Sequence, residues 1–107
     1  MRKFLIGPAF LLVAWLPLAG FEGSPVADAA ANRDMVTLKK LIAGKADVNA
    51  VQPDGDTALL WAIHWGDAAA VDLLLRAGAV VNAANRLNAT PLYLAAESGN
   101  DVIVRKL

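Results

Sequence analysis

The chain contains no cysteine and a single histidine, His64. A disulfide framework, a thiol nucleophile, a thiolate zinc site and an iron–sulfur cluster are therefore excluded, as is any site built on two imidazoles. An excess of one charge is also missing: 10 basic side chains face 10 acidic ones. Nucleic-acid binders carry a clustered basic surplus that releases counterions from the phosphate backbone, and there is none here. Serine is scarce. Ser24 and Ser98 are the only two, and neither sits in G-x-S-x-G, which argues against a serine triad. The glycines fall at turn and helix-end positions, and no glycine-rich phosphate loop follows a strand. What the 107 residues do have is apolar bulk: 57% are hydrophobic although only 7% are aromatic, more than the roughly 45–50% of an average domain. The surplus lies in an apolar N-terminus and in scattered alanines, enough for one small domain.

Arg2 and Lys3 precede an apolar run from Phe4 to Gly20, and the next acidic residue is Glu22. A basic n-region followed by an apolar h-region is the pattern of a secretory signal peptide. A bilayer-spanning helix needs about 20 apolar residues, whereas this run holds 17 and is interrupted by Pro8 and Pro17. The expectation is a signal over residues 1–20, cut between Ala19 and Gly23, in an exported (periplasmic or secreted) protein. The alternatives are an uncleaved anchor over residues 4–20 or a buried helix. A small-x-small match at Ala27-Asp28-Ala29 falls inside the folded unit, and Leu18-Ala19-Gly20 lacks the cysteine of a lipoprotein box because Phe21 follows. Loss of Arg2 and Lys3 would leave 8 basic against 10 acidic groups.

The remainder repeats with a period of 33: Ala29, Ala62 and Ala95; Leu41, Leu74 and Leu107; Thr57 and Thr90; Leu59 and Leu92; Gly66 and Gly99; Val71 and Val104. Asp34 pairs with Asp67, and Ala46, Val48, Asn49 and Ala50 pair with Ala79, Val81, Asn82 and Ala83. A period of this length marks stacked supersecondary units. In the middle unit, Asp54-Gly55 is a tight-turn dipeptide, Thr57 caps a helix beginning at Ala58, and Leu59, Ala62 and Ile63 share one face. Gly66 ends that helix in a left-handed conformation. A second helix carries the stripe Val71, Leu74 and Leu75, places Arg76 near its C-terminus and stops at Gly78. Val80 to Ala83 is then expected to run extended into the next turn. Two short antiparallel helices stacked on another pair need small residues where backbones meet, which accounts for the alanines.

Asn88-Ala89-Thr90-Pro91-Leu92-Tyr93-Leu94-Ala95-Ala96-Glu97-Ser98-Gly99-Asn100 resembles the ankyrin repeat's G-x-T-P-L-H-x-A-A-x-x-G-H, and Gly44-Lys45-Ala46-Asp47-Val48-Asn49-Ala50 resembles its G-A-D-V-N-A ending. The resemblance covers residues 24–107 and implies an all-α ankyrin-repeat solenoid of helix-turn-helix units joined by β-turn loops. Residues 24–50 form an N-terminal capping unit, 51–83 a full repeat, and 84–107 a repeat truncated in its second helix. The capping unit starts at Ser24-Pro25 without the turn and has Arg33 at the glycine position, and Asp28 and Asn32 make it more polar. The family's T-P-L-H histidine is replaced by Ala27, Leu60 and Tyr93, and the turn glycine of the third unit by Asn88, which tolerates positive φ. With its leader, the chain resembles bacterial exported ankyrin-repeat proteins. It stops within a helix, so the expectation is the N-terminal part of a longer array; a short protein is the alternative.

Local chemistry has bland readings throughout. His64 and Asp67 flank Gly66 at a helix end, Asp54 and Asp56 are turn residues without the distal glutamate of a calcium loop, and Glu97 and Asp101 straddle an inter-helix turn as solvated charges. The expectation is a non-enzyme with no cofactor, no metal, no nucleic acid, no small-molecule substrate and no membrane contact once the leader is cut. The resemblance implies a protein partner on the concave face of the stack. Its candidate surface is Pro53, Asp54, Asp56, His64 and Trp65 in the second unit and Arg86, Leu87, Ala89, Glu97 and Ser98 in the third, with Leu60 and Tyr93 beside them. Trp65, Tyr93 and Leu87 are the expected anchors, because aromatic residues are enriched among binding hot spots. Trp61 stands at a core position and is expected to pack. Two other readings remain: a membrane-tethered structural or assembly protein, and the recognition arm of an enzyme whose catalytic domain lies beyond residue 107.

Overall fold

A computed structural model describes residues 24–107, and the leader expected over residues 1–20 lies outside them. The described chain is all-helical: α1 (Pro25–Ala31), α2 (Met35–Ala43), α3 (Ala58–His64), α4 (Ala68–Arg76), α5 (Pro91–Glu97) and α6 (Asp101–Lys106). They form three pairs at the expected period.

Capping chemistry repeats with the sequence. Ser24, Thr57 and Thr90 each accept, through the hydroxyl, the backbone N–H three residues on, at 3.0, 3.2 and 3.1 Å, and so open α1, α3 and α5. Asp34, Asp67 and Asn100 do the same for α2, α4 and α6 at 3.1, 3.0 and 3.1 Å. The short joint between paired helices is fixed from both sides. Arg33, Gly66 and Gly99 take left-handed φ of 58, 68 and 73°. The next N–H then reaches back to Ala29, Ala62 and Ala95 carbonyls at 2.9, 2.9 and 3.1 Å, closing a Schellman turn. Each first helix thus hands its last carbonyls directly to the cap of its partner.

That alanine column is also where the units meet. Ala29, Ala62 and Ala95 are 5, 2 and 0% exposed, α1 packs on α3, and α3 packs on α5. Val26, Leu38, Leu59, Ile63, Val71, Leu74 and Ile103 fill the core around them. Burial of each such Leu or Ile contributes about 1.5–3 kcal/mol of transfer free energy. On the other side α2 and α4 stand apart across an open groove of about 240 Å³, with Met35 and Lys39 on one wall and Leu73 and Arg76 on the other. Leu92, equivalent to the buried Leu59, is 54% exposed on the far side of the last unit.

Loops tie neighbouring units. Asn49 donates to the Gly78 carbonyl at 3.1 Å and accepts from the Val80 N–H at 2.7 Å. The segment expected to run extended from Val80 to Ala83 instead turns at Val81 and Asn82, as the equivalent Val48 and Asn49 do. Asp47 accepts the Asn49 N–H at 2.9 Å, and this local bond makes the turn there. Asp28, expected to make the capping unit more polar, is exposed and accepts from Gln52 of the second unit at 2.7 Å, so it faces along the stack.

Two predictions follow from the caps and the left-handed joints. Lys45 holds φ of 66° where the second unit has Gly78, and Arg33 holds 58° with its guanidinium 5.2 Å from the Trp65 ring centre. Lys45→Gly should raise stability in urea melts by on the order of 0.5–1 kcal/mol, and Arg33→Gly by less because it discards the cation–π contact. For Asp34, the hydrogen bond from the Thr37 hydroxyl, 2.7 Å long, and then that from the Thr37 N–H hold the carboxyl below its ordinary 3.8. A lowered folded pKa stabilises above the unfolded value and is lost as pH falls through the folded one. Melting temperature should therefore fall more steeply in the parent than in Asp34→Asn as pH drops below about 4, measured by circular dichroism.

Candidate functional site

The inner face of the first helices and the turn tips preceding them form one surface. Each tip is a closed loop: the Gln52 N–H donates to the Asp56 carbonyl at 3.0 Å, and Asn85, 33 residues on, donates to the Ala89 carbonyl at 3.1 Å. The tips are laced together by the Arg86 N–H, which donates to the Asp54 carbonyl at 3.1 Å. Gly55 sits at this crossing with φ of 88°, and a Cβ there would lie 3.0 Å from the Arg86 nitrogen, so no side chain fits without opening the joint.

Side chains stiffen the same surface. Trp61 donates its indole N–H to the Gln52 carbonyl oxygen at 2.7 Å, and Gln52 passes its amide to Asp28 at 2.7 Å. The chain of contacts spans two units. Asn85 accepts from the Leu87 and Ala89 N–H groups at 2.9 and 3.1 Å and donates to Asp56 at 2.9 Å. Trp61, His64 and Trp65 form an aromatic row: His64 meets Trp61 edge-on at 5.4 Å and Trp65 at 4.9 Å, and the two indoles lie 6.3 Å apart and nearly parallel.

Between α3 and α5 this face opens into a cleft of about 180 Å³ lined by Asp56, Leu60, Trp61, His64, Asn85 and Leu94. Trp61, expected to pack in the core, does so only in part; its remaining surface is a wall of the cleft.

The candidate surface residues separate into three groups. Pro53, Asp54, His64, Arg86, Glu97 and Ser98 are exposed, and Leu87 and Tyr93 are exposed apolar tips at 87 and 56%. Asp56 is half-buried at the cleft rim. Leu60 and Ala89 require correction. Their register places them on the surface, yet they are 2 and 9% exposed: Leu60 lies under the cleft and Ala89 is enclosed by the turn loop that Asn85 closes. Trp65 is 40% exposed but turns back on the first unit, donating to the Ala31 carbonyl at 3.2 Å beneath Arg33. The residues missed are Gln52, Asn85 and Leu94. Gln52 and Asn85 are 33 apart and both amides, which was the available signal.

The two residues that might have been taken for acid–base partners are occupied elsewhere: Asp67 caps α4 and His64 stands in the aromatic row. Among the described residues no group of three or more His, Asp or Glu side chains could hold a metal ion, and no helix is long and apolar enough to cross a membrane.

Comparison with known proteins agrees with this architecture. The family model described as ankyrin repeats (3 copies) matches residues 26–107. Inversin of Gallus gallus is 40% identical over 85 residues, covering 75% of this chain and 8% of its own length. The palmitoyltransferase AKR1 of Lachancea kluyveri is 37% identical over 67 residues, covering 63% of this chain and 9% of its own. The chain therefore spans less than a tenth of the length of either relative. With the caps, the left-handed joints and the alanine column recurring every 33 residues, the match shows that the chain belongs to the ankyrin-repeat family, whose repeats are typically non-catalytic protein-interaction domains.

Proposed function

We propose that the protein is an exported, non-catalytic interaction module that binds a protein partner through the concave face of its first helices and turn tips, as the N-terminal part of a longer array. The observation that carries the binding face is Leu87, a large apolar side chain held 87% exposed on the turn tip whose Asn85 lines the cleft between α3 and α5. Exposed apolar groups cost solubility unless they serve a contact. Leu87 is presented on a rigid frame, so little ordering entropy opposes association. Export rests on the sequence of the leader, Arg2 and Lys3 before an apolar run, as in exported ankyrin-repeat proteins of bacteria. Continuation of the array rests on Leu92, 54% exposed where Leu59 is 1%.

A second reading is favoured by one relative. The Lachancea kluyveri protein is named a palmitoyltransferase and matches this chain over 9% of its length. In that reading these repeats are the recognition arm of an enzyme whose reacting part lies elsewhere. An intact mass and an N-terminal sequence from the native source test both export and extent: a start between residues 20 and 24 supports export, and an uncut Met1 overturns it.

Binding is tested on the partner that copurifies with the protein. Leu87→Asp and Tyr93→Asp should each weaken it at least about ten-fold, in the range of a hot spot, with the helical circular dichroism unchanged. Affinity unchanged in both variants would overturn the concave-face reading. Trp65→Ala is a poorer probe, because Trp65 also braces the first unit.

A further inference from the structure

We propose that the cleft between α3 and α5 is a receptor for an arginine side chain carried by an extended segment of the partner. The proposal rests on the concave-face reading and deepens it.

The cleft's size comes first. At about 180 Å³ it has room for one long side chain and not for a secondary-structure element. Its walls are of two kinds. Trp61 and Leu94 offer apolar surface above the buried Leu60, and Asp56 and Asn85 form a polar end. An occupant therefore needs an apolar stem and a polar head.

The head must be a cation. Asp56 receives an amide hydrogen from Asn85 at 2.9 Å, a neutral partner that brings no countercharge. Among the described residues the only ion pair is Lys106 with Asp72, on the second helices. The inner layer carries Asp28, Asp54, Asp56 and Glu97 against Arg33 and Arg86, whereas on the second helices and their caps Lys39, Lys40, Arg76, Arg105 and Lys106 are met by Asp34, Asp67, Asp72 and Asp101. The excess of acids over bases in the inner layer favours the approach of basic segments.

Arginine fits better than lysine. Its planar fork bonds both carboxylate oxygens in parallel while its flat face stacks on an indole, whereas a lysine ammonium, which in Lys106 reaches both oxygens of Asp72, is a point charge with no plane to stack. The same layer already contains such a pairing: Arg33 sits 5.2 Å from the centre of Trp65. The receptor is also preorganised. Gln52 pins the Trp61 indole at 2.7 Å, and two backbone N–H groups pin Asn85, so binding freezes few rotors.

The test uses the full chain, labelled with nitrogen-15, and blocked glycine pentapeptides with one central arginine, citrulline, lysine or glutamate. The arginine peptide should shift the Trp61 indole signal and bind at least ten-fold more tightly than the citrulline, lysine and glutamate peptides. Asp56→Asn should weaken it about ten-fold with signals away from the cleft unmoved. His64→Arg, at an exposed position on the cleft, should also weaken it by supplying a competing guanidinium. Equal binding of citrulline or lysine, indifference to Asp56→Asn, or shifts at Trp65 in place of Trp61 would each overturn the assignment. If Asp56→Asn disturbs the fold, His64→Arg alone decides: undiminished binding overturns the proposal. A partner that needs Leu87 and Tyr93 but ignores both cleft variants would sink the arginine receptor and leave the interaction-module reading standing.

Discussion

Close approach of the first helices is the constraint on which the rest of the structure depends. A pair of short helices cannot bury its apolar face alone, and stability comes only when neighbouring pairs share a core. Ala29, Ala62 and Ala95 make that contact with side chains small enough for the backbones to meet. Their carbonyls also receive the N–H groups of the residues that cap the second helices, so the contact between units and the joint within each unit are fixed by the same three residues. Enlarging any of them would strain both at once, because a close-packed interior transmits displacement.

Nearly all of this was legible in the sequence because the physical requirement recurs at the same spacing. Hydroxyl caps at Ser24, Thr57 and Thr90 and carboxylate or amide caps at Asp34, Asp67 and Asn100 leave a periodic trace, and so do the left-handed joints. The candidate site was legible only in outline. Register says which residues are equivalent, but not which side of a short helix a neighbour covers. Leu60 and Tyr93 are equivalent, yet one is 2% exposed and the other 56%. The polar bonds of Gln52 to Trp61 and Asp28 do not recur in the third unit, so the Gln52 and Asn85 amides mark the position without showing its partners.

The aromatic row shows how stability and display share residues. Trp65 braces the first unit through Ala31 and holds Arg33 over its ring, and Arg33 stands where the other units have glycine. A left-handed arginine costs backbone energy that a glycine would not. The ring beneath it offsets part of that cost, and it does so only because Trp65 leans back toward the first unit. Trp61, four residues earlier, is held from behind by Gln52 and keeps a face toward the cleft. One tryptophan serves the stack and its neighbour serves the surface.

The charges of the two layers have different reasons. The cations of the outer layer include Lys40, Arg76, Arg105 and Lys106 in the last turns of α2, α4 and α6, where the helix dipole favours positive charge. Helix chemistry explains them. The acids of the inner layer have no common explanation of that kind. Asp28 lies in a first turn, Asp54 and Asp56 shape a turn tip, but Glu97 ends α5, where the dipole favours the opposite sign. A residue that breaks the local rule, exposed on the face that carries Leu87 and Tyr93, is where a constraint from outside the fold is expected to show. Glu97 is thus the acid of the inner layer that folding alone does not require.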